Sequence, residues 1–433
     1  MKNFGYSDTD YKKFKKYAML TLFGFAVMYA FFYNGRMNMG LALPEMIDEL
    51  GIDAGKAGII TSTLFWCYGF GHLFSGRLGE IIGNKKFICI GIILSVILNF
   101  IISFQYSLLF IAVLWGLNGF AQSMVFSPGI ALSANWWPSS KRGFSSGIIT
   151  GFSGLAQIFA WFCILASFAL APDEGWRAAF RYPLIPMIIL AVVFVIMAKD
   201  KPDKVGLKPY QEENTEAAEL EEERMRILKE KGKLYPYILL IKNPKFILFM
   251  FIIAIVGVAR YGLITWIPLY YVEVMDMNVE SGIFSSVVLP VGMALGYFLM
   301  PIISDKVFHS KREPALIICG ICAAASVFIF PNLHSVAAAS IGLLIAGFFS
   351  AINGLVWAFA ADFGTRAFAG TATGILDWAA YMGAAIQSII FGVIIDSTGN
   401  WTYIFILISI LFILMVVLAL LSTKIKVKST DEQ

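Results

Sequence analysis

The sequence predicts an all-α polytopic membrane protein, with twelve transmembrane helices arranged as two pseudo-symmetric six-helix halves. Three observations predict it. Of 433 residues, 58% are hydrophobic and only 14% charged, a balance outside that of soluble globular domains. The apolar residues come in long uninterrupted runs, such as Leu108–Leu117, Ile185–Ala198, Phe246–Val258 and Tyr403–Leu421, and not at the spacing of a half-buried surface helix. Polar landmarks also recur at nearly one offset between the first and second parts of the chain.

A helix needs about 20 mainly apolar residues to cross the hydrocarbon core. Such runs place spans near 17–43, 57–78, 87–104, 106–132, 144–170, 178–198, 246–272, 282–303, 314–331, 336–360, 368–395 and 401–422. The first follows a polar, basic stretch and continues without a small-residue cleavage site, so it reads as a span and not as a signal peptide. Residues 199–245 divide six spans from six. They are rich in Glu and Lys from Glu212 to Lys233 and read as an exposed, partly helical tether. The expected organisation is a first half at 1–198, a cytoplasmic linker at 199–245 and a second half at 246–433.

Net charge is only +4, so no basic surface points to nucleic acid. Of the 33 Lys and Arg, 28 fall before the first span, in the loops after spans 2, 4, 8 and 10, in the linker and in the C-terminal tail. Lys56, Arg177 and Arg181 take the other side. This asymmetry places both termini and the linker in the cytoplasm, and the chain is expected to be a multi-pass protein of the cell's inner (plasma) membrane. Two arginines remain, Arg36 and Arg260, and both lie inside spans. Cys67, Cys89, Cys163, Cys319 and Cys322 also fall in spans and read as small packing residues. No metal site, cofactor or obligate oligomer is expected. No nucleophile–base pair or Gly-rich phosphate loop suggests an enzyme.

The repeat can be checked by counting. Arg36 precedes Pro44 by eight residues, and Arg260 precedes Pro268 by eight. Arg36 and Arg260 are 224 apart, as are Arg142 and Arg366, each of which opens the fifth span of its half. Glu80 and Asp305, in the loops after the second spans, are 225 apart. Parallel repeats with a midplane site between them are a plan for secondary transporters.

The stretch Gly76-Arg77-Leu78-Gly79-Glu80-Ile81-Ile82-Gly83-Asn84-Lys85-Lys86 resembles the loop motif of the major facilitator superfamily, with Glu for the usual Asp and Asn for the first basic residue. Ser304-Asp305-Lys306-Val307-Phe308 is its second-half echo. Three further stretches resemble the organophosphate:phosphate antiporter branch, which includes bacterial glycerol-3-phosphate and hexose-phosphate carriers. They are Arg36–Pro44, Trp136-Trp137 with Lys141-Arg142-Gly143, and Arg260-Tyr261-Gly262-Leu263-Ile264-Thr265-Trp266-Ile267-Pro268. The resemblance implies the major facilitator fold. It implies that Arg36 and Arg260 bind phosphate, and that Tyr29, Tyr33, Tyr68 and Tyr381 face the pore. Its substrates would be a phosphorylated organic anion and inorganic phosphate.

The residues independently point to an anion site. A guanidinium stays charged at physiological pH, and at a helix centre it costs about 2.5–3.5 kcal/mol on insertion scales. Arg260 lies 15 residues beyond Lys245 and 13 before Glu273, about 20 Å from either flank at 1.5 Å per residue. Its planar fork suits two phosphate oxygens. Tyr29, Tyr33 and Arg36 follow i, i+4, i+7 and share one helix face, as do Tyr68 and His72. His72 can donate to the anion or carry a proton. The sequence departs from the glycerol-3-phosphate carriers at His72, where they have Lys, and at Ser153, where they have His. It adds Asp377, on the face of Tyr381 and 224 beyond Ser153. An intramembrane carboxylate is a functional candidate. Glu80, Arg142, Asp305 and Arg366 read as charge contacts that hold one conformation and release in another, with Asp362 as a partner.

Three functions follow as alternatives. One is an antiporter that exchanges a sugar phosphate or glycerol phosphate for inorganic phosphate. The second is a proton-coupled organic-anion symporter using Asp377 or His72. The third is a transporter-like sugar-phosphate sensor, a kind of receptor the family also contains.

Overall fold

A computed structural model describes residues 4–51, 54–212, 215–277 and 285–425. Among them the regular elements are helical: α1 (Asp8–Phe32), α2 (Asn34–Leu50), α3 (Ala54–Ile82), α4 (Asn84–Ile102), α5 (Leu108–Ala134), α6 (Arg142–Leu170), α7 (Ala178–Arg181), α8 (Leu184–Met197), α9 (Thr215–Lys231), α10 (Tyr235–Lys242), α11 (Pro244–Glu273), α12 (Val288–Val307), α13 (Arg312–Ile329), α14 (Val336–Ser350), α15 (Asn353–Thr398) and α16 (Thr402–Thr423). Helix is what hydrocarbon demands, since it pairs every backbone polar group within its own segment.

Among the described residues, ten segments are long and apolar enough to cross a membrane. They accommodate eleven of the twelve expected spans, and α3 takes the twelfth. Val336–Gln387 covers two of the expected ones, and the 29-residue α3 carries the span expected at 57–78. Several starts are capped by side chains. Ser7 accepts from the Asp10 backbone N–H ahead of α1, Asn243 from those of Lys245 and Phe246 ahead of α11, and Ser335 from that of Ala338 ahead of α14. Each side-chain oxygen takes an N–H that would otherwise lack an intrahelical acceptor.

Two interruptions lie where no Pro marks them, although Gly364 directly precedes the second. Tyr33 separates α1 from α2. Within α15, Thr365 takes φ +52° and ψ −162°, a left-handed φ that is costly for a β-branched residue. Its hydroxyl accepts from the Ala367 N–H at 3.3 Å, so the chain starts a fresh helical run at Arg366.

The chain forms two compact units. The first contains Met1–Pro138, Leu155–Ala218 and Phe363–Gly374. In it α3 and α4 pack along α5, and α1 packs along α8. The α3–α5 contact is close because Gly119 lies against the Leu64 backbone, where a Cβ would overlap the carbonyl. The second contains Ser139–Gly154, Glu219–Asp362 and Ile375–Gln433. In it α12 packs along α14, and α16 packs along α13 and α11. Large apolar side chains such as Leu109, Phe162 and Ile196 are 72%, 76% and 69% exposed, which suits a surface bathed in lipid.

The linker departs from the expected solvated tether. Leu207 and Tyr210 are buried, as are Glu221, Arg224 and Ile227 on α9. Charge-rich composition describes the exposed face of that stretch and not the positions between the charges.

Gly119→Val is expected to push α3 from α5 and to cost about 1–3 kcal/mol, as overpacked sites do. The thermal midpoint of purified protein in detergent should fall. Gly40→Ala, where a Cβ would meet nothing within 4 Å, should leave it unchanged.

Candidate functional site

Arg36 stands in the first turn of α2, just past the interruption at Tyr33. Its guanidinium carbon lies 3.6 Å from the Tyr33 ring centre and 5.1 Å from that of Tyr68 on α3. Its Nη2 donates to the Tyr29 hydroxyl at 3.4 Å. The i, i+4, i+7 reading of Tyr29, Tyr33 and Arg36 therefore describes a real face, with the two tyrosine rings edge-on at 5.5 Å. His72 sits behind Tyr68. The rings are 4.3 Å apart and nearly perpendicular, His72 is wholly buried, and its Nδ1 is 3.1 Å from the Ser127 hydroxyl.

The second unit builds a comparable setting around Arg260. Its guanidinium carbon is 5.0 Å from the Tyr261 ring centre and 5.6 Å from that of Tyr297. Tyr261 in turn lies 5.9 Å from Tyr381. Asp377 is buried in this unit, and Ser153 donates back to the Thr150 carbonyl at 2.7 Å. Both arginines are half-buried and not enclosed. Stacking on rings occupies guanidinium faces and orients the in-plane N–H donors, the ones that bind an anion bidentately.

Tyr261 and Tyr297 escaped the sequence-based site. Tyr261 adjoins Arg260 in the motif and could have been found there. Tyr297 stands five residues past the position that the 224 offset assigns to Tyr68, so counting alone does not reach it.

The charged residues at the other end of the spans form two networks. In the first unit Glu80 accepts from Arg77 at 2.6 Å, from the Thr371 N–H at 2.9 Å and from the Thr371 hydroxyl at 2.7 Å. Arg366 donates to the Tyr210 carbonyl at 3.3 Å and lies 4.4 Å over that ring. Tyr210 donates to the carbonyls of Ala134 and Trp137 at 2.9 and 3.1 Å, which ties the start of the linker to the Trp136-Trp137 motif. Nearby, burial pushes the Tyr6 phenol up to about 12, so it remains protonated and donates to the Lys208 carbonyl at 2.5 Å.

In the second unit Asp305 accepts from the Phe144 N–H at 2.8 Å and from Arg312 at 2.6 Å. Arg312 also donates to Asp362 at 2.8 and 3.0 Å. Arg142 lies 3.6 Å from Asp362. Arg312 is the centre of this network, yet the offset pairs it with Ile88, so the repeat gave no sign of it.

A model of the Major Facilitator Superfamily matches residues 25–388. A probable hexose phosphate transport protein of Chlamydia trachomatis serovar D is 27% identical over 90% of this chain and 87% of its own length. The glycerol-3-phosphate transporter of Bacillus subtilis (strain 168) is 28% identical over 95% of this chain and 93% of its own. The membrane sensor protein UhpC of Escherichia coli (strain K12) is 26% identical over 93% and 91%. Among solved structures, the proton:xylose symporter XylE shares the fold, with a TM-score of 0.73 and 13% identity over 95% of this chain and 96% of that one.

Arg312→Leu would leave the partly buried Asp305 and Asp362 without their shared cation. Removing one partner of a buried pair typically costs about 3–5 kcal/mol, so the variant is expected to lose several degrees of thermal midpoint in detergent. A midpoint equal to that of the unaltered protein would show that the network contributes nothing to folding.

Proposed function

The chain belongs to the Major Facilitator Superfamily, a family of multi-pass membrane carriers and not of enzymes, and from that premise we propose that it transports a phosphorylated organic anion in exchange for inorganic phosphate. The observation that carries the reading is the pair of tyrosine-stacked arginines, Arg36 with Tyr33 and Tyr68, and Arg260 with Tyr261 and Tyr297. The names of the hexose phosphate and glycerol-3-phosphate relatives agree with it.

Both arginines serve the phosphoryl group, whose oxygens accept from the guanidinium forks. Tyr29 donates beside Arg36, and Tyr381 beside Tyr261. His72 supports Tyr68 from behind and so acts on the anion through it. Asp377 tunes the charge of the Arg260 side. Exchange follows from the charge. An empty site leaves two cationic groups to be occluded without an anion, whereas the loaded site is neutralised, so only the loaded carrier reorients readily. The networks at Glu80, Arg142, Asp305 and Arg366 hold one conformation and part in the other. The carrier is taken as a monomer in the cell's inner membrane, and the lysine and arginine asymmetry supports cytoplasmic termini.

Two observations favour other readings. Buried Asp377 suits a proton-coupled symporter, in which the carboxyl would neutralise the empty site. The sensor relative suits a receptor that binds without flux.

Proteoliposomes separate the three. Phosphate-loaded vesicles are expected to take up radiolabelled phosphate, with hexose phosphates and glycerol-3-phosphate competing. Arg36→Lys and Arg260→Lys should each lower uptake at least about a hundredfold, because an ammonium cannot reproduce the bidentate fork. Near-normal uptake by either variant would sink the assignment. Uptake driven by a pH gradient without trans-stimulation would make the chain a symporter. Saturable phosphate binding with no flux would make it a sensor.

A further inference from the structure

Arg36 and Arg260 occupy matching places in the repeat, but their helices are built differently. α11 runs unbroken through Arg260 from Pro244 to Glu273. The span that carries Arg36 is locally tightened at Tyr33, three residues earlier: the backbone stays right-handed, but the Arg36 and Met37 N–H groups both turn to the Tyr33 carbonyl at 3.0 Å, between α1 and α2. A break inside hydrocarbon disturbs backbone carbonyls that need donors, and here the donors are side chains from two other helices. Asn99 on α4 and Asn118 on α5 both donate to the Gly35 carbonyl, at 3.1 and 2.7 Å. Gln122 donates to the Phe32 carbonyl at 3.5 Å and to the Ser95 hydroxyl at 2.8 Å. Ser95 passes its proton to Asn118 Oδ1 at 2.7 Å, and Asn38 donates to Asn99 Oδ1 at 2.9 Å. These five side chains are at most 1% exposed. Gly35 makes room for them, since a Cβ there would come within 2.7 Å of Gln122 Nε2 and 2.9 Å of Ser95 Oγ.

The second half lacks every member. At the 224 offset, Asn38, Ser95, Asn99, Asn118 and Gln122 become Gly262, Cys319, Ala323, Gly342 and Ala346. Had the network served only general helix packing, the matching interface would need something like it, yet that interface is made of small apolar residues. What distinguishes the first half is the interrupted turn beneath an arginine.

We propose that Asn38, Ser95, Asn99, Asn118 and Gln122 are positioning residues that clamp the Phe32–Gly35 turn and thereby fix Arg36 for the anion before it binds. Arg260, on an unbroken helix without a clamp, is the partner that adjusts. Each amide nitrogen of the network finds an acceptor; hydrogen-bonded buried networks stiffen what they hold, and a pre-set donor spends less of the binding energy on ordering itself. The two arginines thus divide the work, one anchoring the phosphoryl group and the other adapting to what the anion carries. This rests on the reading that Arg36 binds phosphate, so the test has one arm that needs phosphate and one that does not.

Asn118→Leu, which is close to it in size, removes the donor to Gly35 and the acceptor for Ser95. Ser95→Ala is the milder variant should the first fail to fold. Without any ligand, backbone hydrogen exchange over residues 32–40 is expected to quicken about tenfold in Asn118→Leu and about threefold in Ser95→Ala, with residues 256–264 unchanged. In proteoliposomes, the KM for inorganic phosphate should rise by similar factors while maximal exchange stays within about twofold. Unchanged hydrogen exchange in a folded variant overturns the clamp. A phosphate KM that holds while maximal exchange falls also overturns it, because that pattern belongs to packing. If the unaltered protein exchanges no phosphate at all, the functional reading fails, and the exchange of residues 32–40 still decides whether the network fixes the turn.

Discussion

A guanidinium keeps its charge at any pH a cell reaches, and hydrocarbon offers that charge nothing. Two such groups inside membrane spans therefore impose the local design of each unit. Arg36 is met by Tyr33, Tyr68 and the Tyr29 hydroxyl, and Arg260 by Tyr261 and Tyr297. Aromatic rings suit this task because their faces attract cations while their bodies pack among helices. They stabilise the arginine without adding a charge of their own.

Backbone polarity imposes the second constraint. A span can be broken only where something answers for the disturbed carbonyls and amides. At Tyr33 the answer is a set of buried amides from α4 and α5. At Thr365 it is the residue's own hydroxyl, and the helical run that starts there carries Arg366 over Tyr210 and the Thr371 N–H to Glu80. Both interruptions lie next to residues of the proposed mechanism. Strain and irregularity collect at such places because regular helix would not present the side chains in the required direction.

The number of spans, the repeat and the arginine pair were legible in the sequence because they depend on local composition and on counting. So was the Tyr29–Tyr33–Arg36 face, since the backbone stays right-handed through Tyr33 and helical spacing carries across from α1 to α2. Contacts between helices were not. Tyr297 against Arg260, Arg312 against Asp362, and Asn118 against Gly35 join residues 37, 50 and 83 positions apart, and no periodicity relates them. The linker was misjudged for a similar reason. Its charges describe what faces water, whereas Tyr210 is held by carbonyls at the end of α5 and beyond it.

By itself the sequence determined that the chain is a twelve-span membrane protein with two charged residues where lipid should be, because hydrophobic length and charge cost are properties of residues. Only the tertiary structure decided how those charges are housed, and that the halves house them unequally. Equal spacing along two repeats cannot reveal that α1 and α2 are interrupted where α11 is continuous, or that a clamp of amides on one side has small apolar residues as its counterpart. Those differences arise from which helices touch, and partners across a helix interface are chosen by three-dimensional packing.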